Sequence, residues 1–341
     1  MSASKPRNVL VAGGAGFLGS HLCDALIAKG AHVFCVDSLL TSSGDNLRHL
    51  RRSPRFTFIE ADIIDELPAS ALPRRLDRVF NLACAASPPH YQADPEHTMM
   101  TNVLGTRNLL RLAERHRARF LQASTSEVYG DPEVHPQVET YSGNVNCTGP
   151  RACYDEGKRA AEALCFDFDR ARRAEVRLVR IFNTYGPRML PDDGRIVSNV
   201  ITQALAGADI TIYGDGSQTR SFCYVDDLVD GLVRLMAHDG PQPGPVNLGN
   251  PNEQTVHKLV EDVLALTGHR SAVTYHPLPQ DDPRRRKPDI SRAREVLGWA
   301  PRTPLADGLR ATLEWFRKAE APAAMPAGTL AAAAMPLSAA D

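Results

Sequence analysis

The sequence predicts a doubly wound α/β fold, a parallel sheet covered by helices on both faces, followed by a smaller and less regular unit. Three observations predict it. Short, continuous apolar runs alternate with helical patterns through the first half; a glycine-rich turn joins the first run to the first helix; and an aspartate closes the second run. Continuous rather than alternating apolar strands are buried on both faces, and strands separated by helix-length segments pair in parallel.

In order, NVLVAG (8–13) is the first strand and 17–29 the first helix. HVFCVD (32–37), FTFIEAD (56–62) and RVFNLAC (78–84) follow as strands. A helix over 96–116 leads to RFLQAST (119–125), and a helix over 154–173 leads to VRLVRIFN (176–183). From about residue 184 the turn clusters YGPRMLPDDGR, YGDGSQTR and DGPQPGPVNLGNPNE loosen the spacing. This places a first domain over 1–183 and a second over 184–318, with PVNLGN (245–250) returning to the first as a strand. The Ala/Pro-biased segment 319–341 has almost no large apolar residues and reads as a disordered tail.

A chain of 341 residues suits about two domains, and its 43% hydrophobic content suits a soluble protein with a sizeable core. The 39 Lys and Arg nearly cancel the 40 Asp and Glu, which leaves no bulk field for nucleic acid or an anionic membrane. No run approaches the roughly 18 apolar residues of a membrane span, and MSASKPRNVLVAGG has no apolar leader core, so a soluble, cytoplasmic protein is predicted. Seven cysteines without a CxxC predict reduced core thiols, and no His/Cys/Asp cluster stands at metal-ligand spacing.

Gly13, Gly16 and Gly19 form G-x-x-G-x-x-G between strand and helix, enclosing Phe17 and Leu18. Such glycines let the backbone approach a pyrophosphate, and the helix start offers it unpaired N–H groups, as in Rossmann-type sheets. Asp37 follows 18 residues after Gly19, where a carboxylate accepts from adenosine ribose hydroxyls. Ser38, Leu39 and Leu40 bring no arginine for a 2′-phosphate, so NAD is predicted over NADP. Asp62, with Ile63 beside it, closes the third run near the adenine edge.

Tyr154 and Lys158 stand four apart at a helix start, which puts ring and ammonium on one face. A nearby ammonium favours phenolate and is expected to lower the tyrosine pKa toward what a base needs. The stretch STSEVYG places Thr125, Ser126 and Glu127 at the C-terminal end of a parallel strand, where such sheets bind ligands. Thr125, Tyr154 and Lys158 then form a proton-transfer set.

Together G-x-x-G-x-x-G, Asp37, STSEVYG and YDEGK resemble the extended short-chain dehydrogenase/reductase family of nucleotide-sugar epimerases, dehydratases and decarboxylases. More narrowly, NLACAASPPHY, GPRACYDEGKR, RIFNTYGPRM, DGRIVSNVI, YGDGSQTRSFCYVDDLV and DDPRRRKPDI are similar to its UDP-glucuronate decarboxylase (UDP-xylose synthase) branch. They lie, in order, within residues 8–317. Ala12 and Asn81 depart from the Thr and His common there, and the middle of YSGNVNCTGP differs too.

The resemblance implies an NAD-dependent carboxy-lyase acting on a UDP-sugar. It implies that Ser126 and Glu127 contact the sugar near C5 and that Arg286 binds its carboxylate or assists C5 protonation, with Arg284 and Arg285 solvated. It assigns Asn183 and Arg220 to the diphosphate region, Tyr213 and Gln218 to the nucleotide pocket, and to Asn102 a bend in its helix with support of Lys158 through water. It also implies a homodimer through helices 96–116 and 154–173. A 4,6-dehydratase would need Asp at position 126, so Ser126 weighs against dehydration. A UDP-glucuronate 4-epimerase, an oxidative decarboxylase releasing the keto-pentose and a non-catalytic dinucleotide sensor are the rival readings.

Overall fold

The computed structural model describes residues 8–318; the expected disordered tail over 319–341 lies outside them. Along the first half run β1 (Asn8–Ala12), α1 (Phe17–Ala28), β2 (His32–Asp37), β3 (Phe56–Glu60) and β4 (Arg78–Asn81). Then come α2 (Pro88–Ala93), α3 (Pro95–Met100), α4 (Thr106–His116), β5 (Arg119–Thr125), α5 (Ala152–Arg170) and β6 (Glu175–Ile181). Several strands are shorter than the sequence predicts, because the backbone leaves the ladder at the residues that turn toward the pocket: Asp62 and Ala83 lie beyond β3 and β4.

The second half contains β7 (Thr184–Tyr185), α6 (Ile196–Leu205), β8 (Ile210–Tyr213), β9 (Thr219–Ser221), β10 (Cys223–Tyr224), α7 (Val225–Ala237) and β11 (Pro245–Leu248). It continues with β12 (Glu253–Thr255), α8 (Val256–Thr267), β13 (Val273–His276), β14 (Arg285–Arg286), α9 (Ser291–Leu297) and α10 (Leu305–Lys318).

The central sheet has seven strands in the order β11-β6-β5-β4-β1-β2-β3, and every pairing is parallel. Residues 245–248 thus complete its edge, against Leu178–Ile181. Chain order reverses between β1 and β4, so the crevice for a ligand opens at their C-terminal ends. Both faces are buried. Leu22, Leu26, Leu228 and Leu232 of α1 and α7 cover one, and Leu109, Leu110 and Phe168 of α4 and α5 cover the other. A separate core, with Ile201, Ile212, Phe222, Leu259 and Leu313, holds α6, α8 and α10 together with strand β8.

The single helix expected over 96–116 is interrupted, because a π turn over Thr101–Gly105 separates α3 from α4. At this turn Asn102 Nδ2 donates to the Thr98 carbonyl at 3.0 Å and Thr101 Oγ1 to that of His97 at 2.8 Å, side-chain back-bonding of the kind that bends helices, while both carbonyls also accept from Thr101 N. All seven cysteines are free; Cys23, Cys35, Cys165 and Cys223 are buried, but Cys147 is exposed in a loop rather than in the core.

Candidate active site

One cavity of about 1020 Å³ lies over the C-terminal ends of the central strands and reaches into the second core. Its cofactor end is built from the glycine turn. Gly13 has φ +75°, and a Cβ on Gly19 would stand 2.1 Å from the Gly13 carbonyl oxygen, so larger residues would push the turn apart. No side chain caps the start of α1 and no acidic residue sits in its first turn. The helix start beside Gly16, Phe17, Leu18 and Gly19 therefore presents N–H groups and a positive dipole end to the cavity, as a pyrophosphate requires.

Asp37 accepts from Ala15 N and Leu39 N, both at 2.9 Å; burial pushes its carboxyl up against the pull of these N–H groups. Ser38, Leu40, Thr41 and Ser42 line the wall beyond it, without an arginine. Ile63 is buried, and Asp62 lies beside it, bonded at 2.6 Å to His97 Nε2 and accepting from Ile64 N at 2.9 Å. Asp62 is therefore not the isolated strand-end acid its sequence position suggests. These residues fit NAD.

The catalytic set converges at the centre. Thr125 lies beside the Tyr154 phenol and favours its charged form, and its Oγ1 accepts from Glu127 N at 3.2 Å. Lys158 Nζ sits 5.7 Å from the centre of the Tyr154 ring and donates to the Ala123 carbonyl at 3.0 Å. Both side chains are buried, and here one expectation fails. Burial pushes the Tyr154 phenol well above its usual range, outweighing the pull of Thr125, and it also lowers Lys158. Desolvation disfavours the charged form of both groups. Asn102 makes no direct bond to Lys158; its Nδ2 reaches Cys84 Sγ at 3.2 Å.

Ser126, Glu127 and Arg286 line the same cavity. Arg286 grips Glu127 with both terminal nitrogens, Nη2 at 2.9 Å from Oε2, while Arg151 Nη1 stands 3.6 Å away. Burial pushes the Glu127 carboxyl up, but Arg286 and Arg151 together pull it down to about 2. Arg284 and Arg285 are exposed. Asn183, Tyr213, Gln218 and Arg220 line the far end, with Gln218 Nε2 donating to the Tyr213 carbonyl at 2.5 Å.

This arrangement joins a dinucleotide turn to a buried Tyr/Lys/Thr set, and a family model described as the NAD dependent epimerase/dehydratase family matches residues 9–249. The chain belongs to this family. UDP-glucuronic acid decarboxylase 4 of Arabidopsis thaliana is 51% identical over 92% of this chain and 69% of its own length. UDP-glucuronic acid decarboxylase 1 of Danio rerio is 48% identical over 93% of this chain and 74% of its own. Among solved structures, the UDP-glucose 4-epimerase of Thermotoga maritima matches with TM-score 0.83 and 31% identity, covering 92% of this chain and 99% of that one. The UDP-glucuronic acid 4-epimerase of Bacillus cereus, solved with UDP-glucuronic acid and NAD, gives 0.84 and 28% over the same shares.

Within this epimerase/dehydratase site several residues escaped sequence reasoning. Arg151, three before Tyr154 and hence on its helix face, carried a usable signal in that spacing. Tyr91, whose ring stacks on Tyr154 at 4.9 Å and 7°, carried none, since α2 is brought there by tertiary folding. Asp155 is buried, and its Oδ1 has no hydrogen-bond partner; burial and the nearby Glu127 charge push it up to about 8. The departure at Asn81 is accommodated: its amide donates to Gln122 Oε1 at 2.9 Å and Thr106 Oγ1 at 3.1 Å, and its Oδ1 accepts from Ala83 N. Among the described residues no group of three or more His, Cys, Asp or Glu could hold a metal, and no helix is long and apolar enough to cross a membrane.

Proposed function

We propose that the protein is an NAD-dependent UDP-glucuronate decarboxylase that forms UDP-xylose and regenerates its cofactor in each turnover. The observation that carries the reading is the Glu127–Arg286–Arg151 cluster opening into the same cavity as Tyr154, Lys158 and Thr125, because a decarboxylase must act on a C4 hydroxyl and a C5 carboxylate in one bound sugar. Identities of 48–51% to UDP-glucuronic acid decarboxylases support it, against 28% to the UDP-glucuronic acid 4-epimerase.

Gly13, Gly16, Phe17, Leu18, Gly19, Asp37, Asp62 and Ile63 would hold NAD. When bound, it supplies the hydride acceptor for C4, the hydride that returns there, and a cationic ring whose charge favours the Tyr154 phenolate. Tyr154 takes the C4 hydroxyl proton, Thr125 holds the oxygen in line, and Lys158 keeps positive charge beneath the ring. The resulting C4 ketone makes the sugar a β-keto acid, so the C5–carboxylate bond breaks with its electrons delocalised into the ketone. Ser126 and Glu127 position the sugar around C5. Arg286, held by Glu127, supplies positive charge beside the departing carboxylate. The carbanion then takes a proton at C5, and Tyr154 gives its proton back to O4. Asn183, Arg220, Tyr213 and Gln218 hold the UDP moiety.

We further infer a cytoplasmic homodimer formed through helices 96–116 and 154–173, which light scattering would test by a mass near twice 37.2 kDa. Incubation with UDP-glucuronate and substoichiometric NAD tests the activity. Stoichiometric carbon dioxide release without net NADH is the expected result, and UDP-galacturonate with no gas would replace this reading by the epimerase.

A further inference from the structure

The segment 279–286 lines the cavity with Pro279, Gln280, Asp282 and Arg286 and sets Asp282 against two guanidiniums. Arg220 Nη2 lies 2.7 Å from Asp282 Oδ2, and Arg151 Nη2 lies 3.2 Å from Oδ1. The same loop is tied down next to that contact. Arg151 Nη1 donates to the Asp281 carbonyl at 3.3 Å, and Asn146 Nδ2 to both Asp281 carboxylate oxygens at 3.2 Å. Arg151, Arg220 and Arg286 are each at least nine-tenths buried and all line the cavity.

A buried cation without a counter-charge is costly. Here three guanidiniums are answered by two carboxylates, Glu127 and Asp282, which leaves one net positive charge among these five groups. A nucleoside-diphosphate sugar acid brings about three negative charges, two on the diphosphate and one on the sugar. Its diphosphate and Asp282 cannot share the same face of Arg220 without a like-charge penalty.

We propose that Asp282 is a placeholder anion, a positioning residue that holds Arg220 and Arg151 in place in the substrate-free pocket and gives up Arg220 to the diphosphate of the incoming nucleotide. Affinity for the nucleotide is then set partly by the strength of an internal competitor. The inference rests on the nucleotide-sugar reading above and adds a residue outside the binding set named there. It distinguishes Asp282 from a scaffold: loss of a scaffold weakens binding, whereas loss of a competitor strengthens it.

The test is calorimetric titration of UDP into the NAD-loaded protein, with Asp282→Asn and Asp282→Glu as variants. Asp282→Asn should melt lower than wild type without UDP, because two guanidiniums lose their counter-charge, yet bind UDP about five- to tenfold more tightly. Asp282→Glu keeps the competitor and should bind no more tightly than wild type. If Asp282→Asn does not fold, Asp282→Ser serves the same comparison. Equal or weaker UDP binding by the neutral variant overturns the placeholder while leaving the nucleotide-sugar reading intact. A wild-type protein that does not bind UDP at all overturns both.

Discussion

Tyr154 must lose a proton from a site that holds it firmly, since burial raises its phenol and Thr125 opposes that only in part. Replacing it by Phe leaves the packing against Tyr91 and removes the proton acceptor, so Tyr154→Phe should bind UDP normally and lose about 10²–10⁴ in kcat. Asp155 makes a different prediction. Its folded value, pushed up to about 8, lies above its ordinary 3.8, so between these two pH values the folded state keeps a proton that the unfolded state has released. Stability should therefore fall as pH rises through that window. Asp155→Asn should flatten the decline and stabilise the protein at pH 8 by about 1–3 kcal/mol, read from melting at several pH values. The Tyr154/Lys158 pair was legible because helical spacing alone puts both on one face. The pKa of Tyr154 was not, because burial depends on Tyr91 and on elements distant in the chain.

Among the elements, the packing of α5 against the π turn decides where Lys158 stands. Gly157 faces Asn102, and a Cβ there would come within 2.9 Å of its Nδ2. Alanine is favoured over glycine in a helix by about 1 kcal/mol, yet at this position the clash should prevail. Gly157→Ala is expected to cost about 1–3 kcal/mol and to lower kcat, whereas a surface glycine with open space around it, such as Gly207, should tolerate alanine far better apart from its positive φ. The strands were readable from their apolar runs, and the helix around Asn102 was readable as a helix. Its π turn was not, because apolar periodicity does not register two side chains bonding backward to carbonyls that the backbone also uses. Arg286 was singled out by resemblance, and its grip on Glu127 emerges only when β14 pairs with β9 and brings residues 159 apart in sequence together.

At the scale of the whole molecule, the sheet and the second core share one cavity, and the chain passes between them more than once: α7, β11 and α9 follow residue 184 yet pack with the sheet. A cofactor that binds only the folded state should stabilise the entire unit: NAD at a hundred times its Kd should add about 2.7 kcal/mol, and stripping it should lower the Tm. NADP should do much less, since the wall beside Asp37, formed by Ser38, Leu40, Thr41 and Ser42, offers no arginine to balance a 2′-phosphate. The proposed reaction is an oxidation and a reduction at one carbon with decarboxylation between them. Its most direct test is proton NMR of the products from UDP-glucuronate carrying deuterium at C4, incubated with the protein and a trace of NAD. UDP-xylose that retains the deuterium at C4, with no accumulation of labelled NADH, is the predicted result; UDP-galacturonate, or a keto-pentose with the label lost to the cofactor, would contradict it.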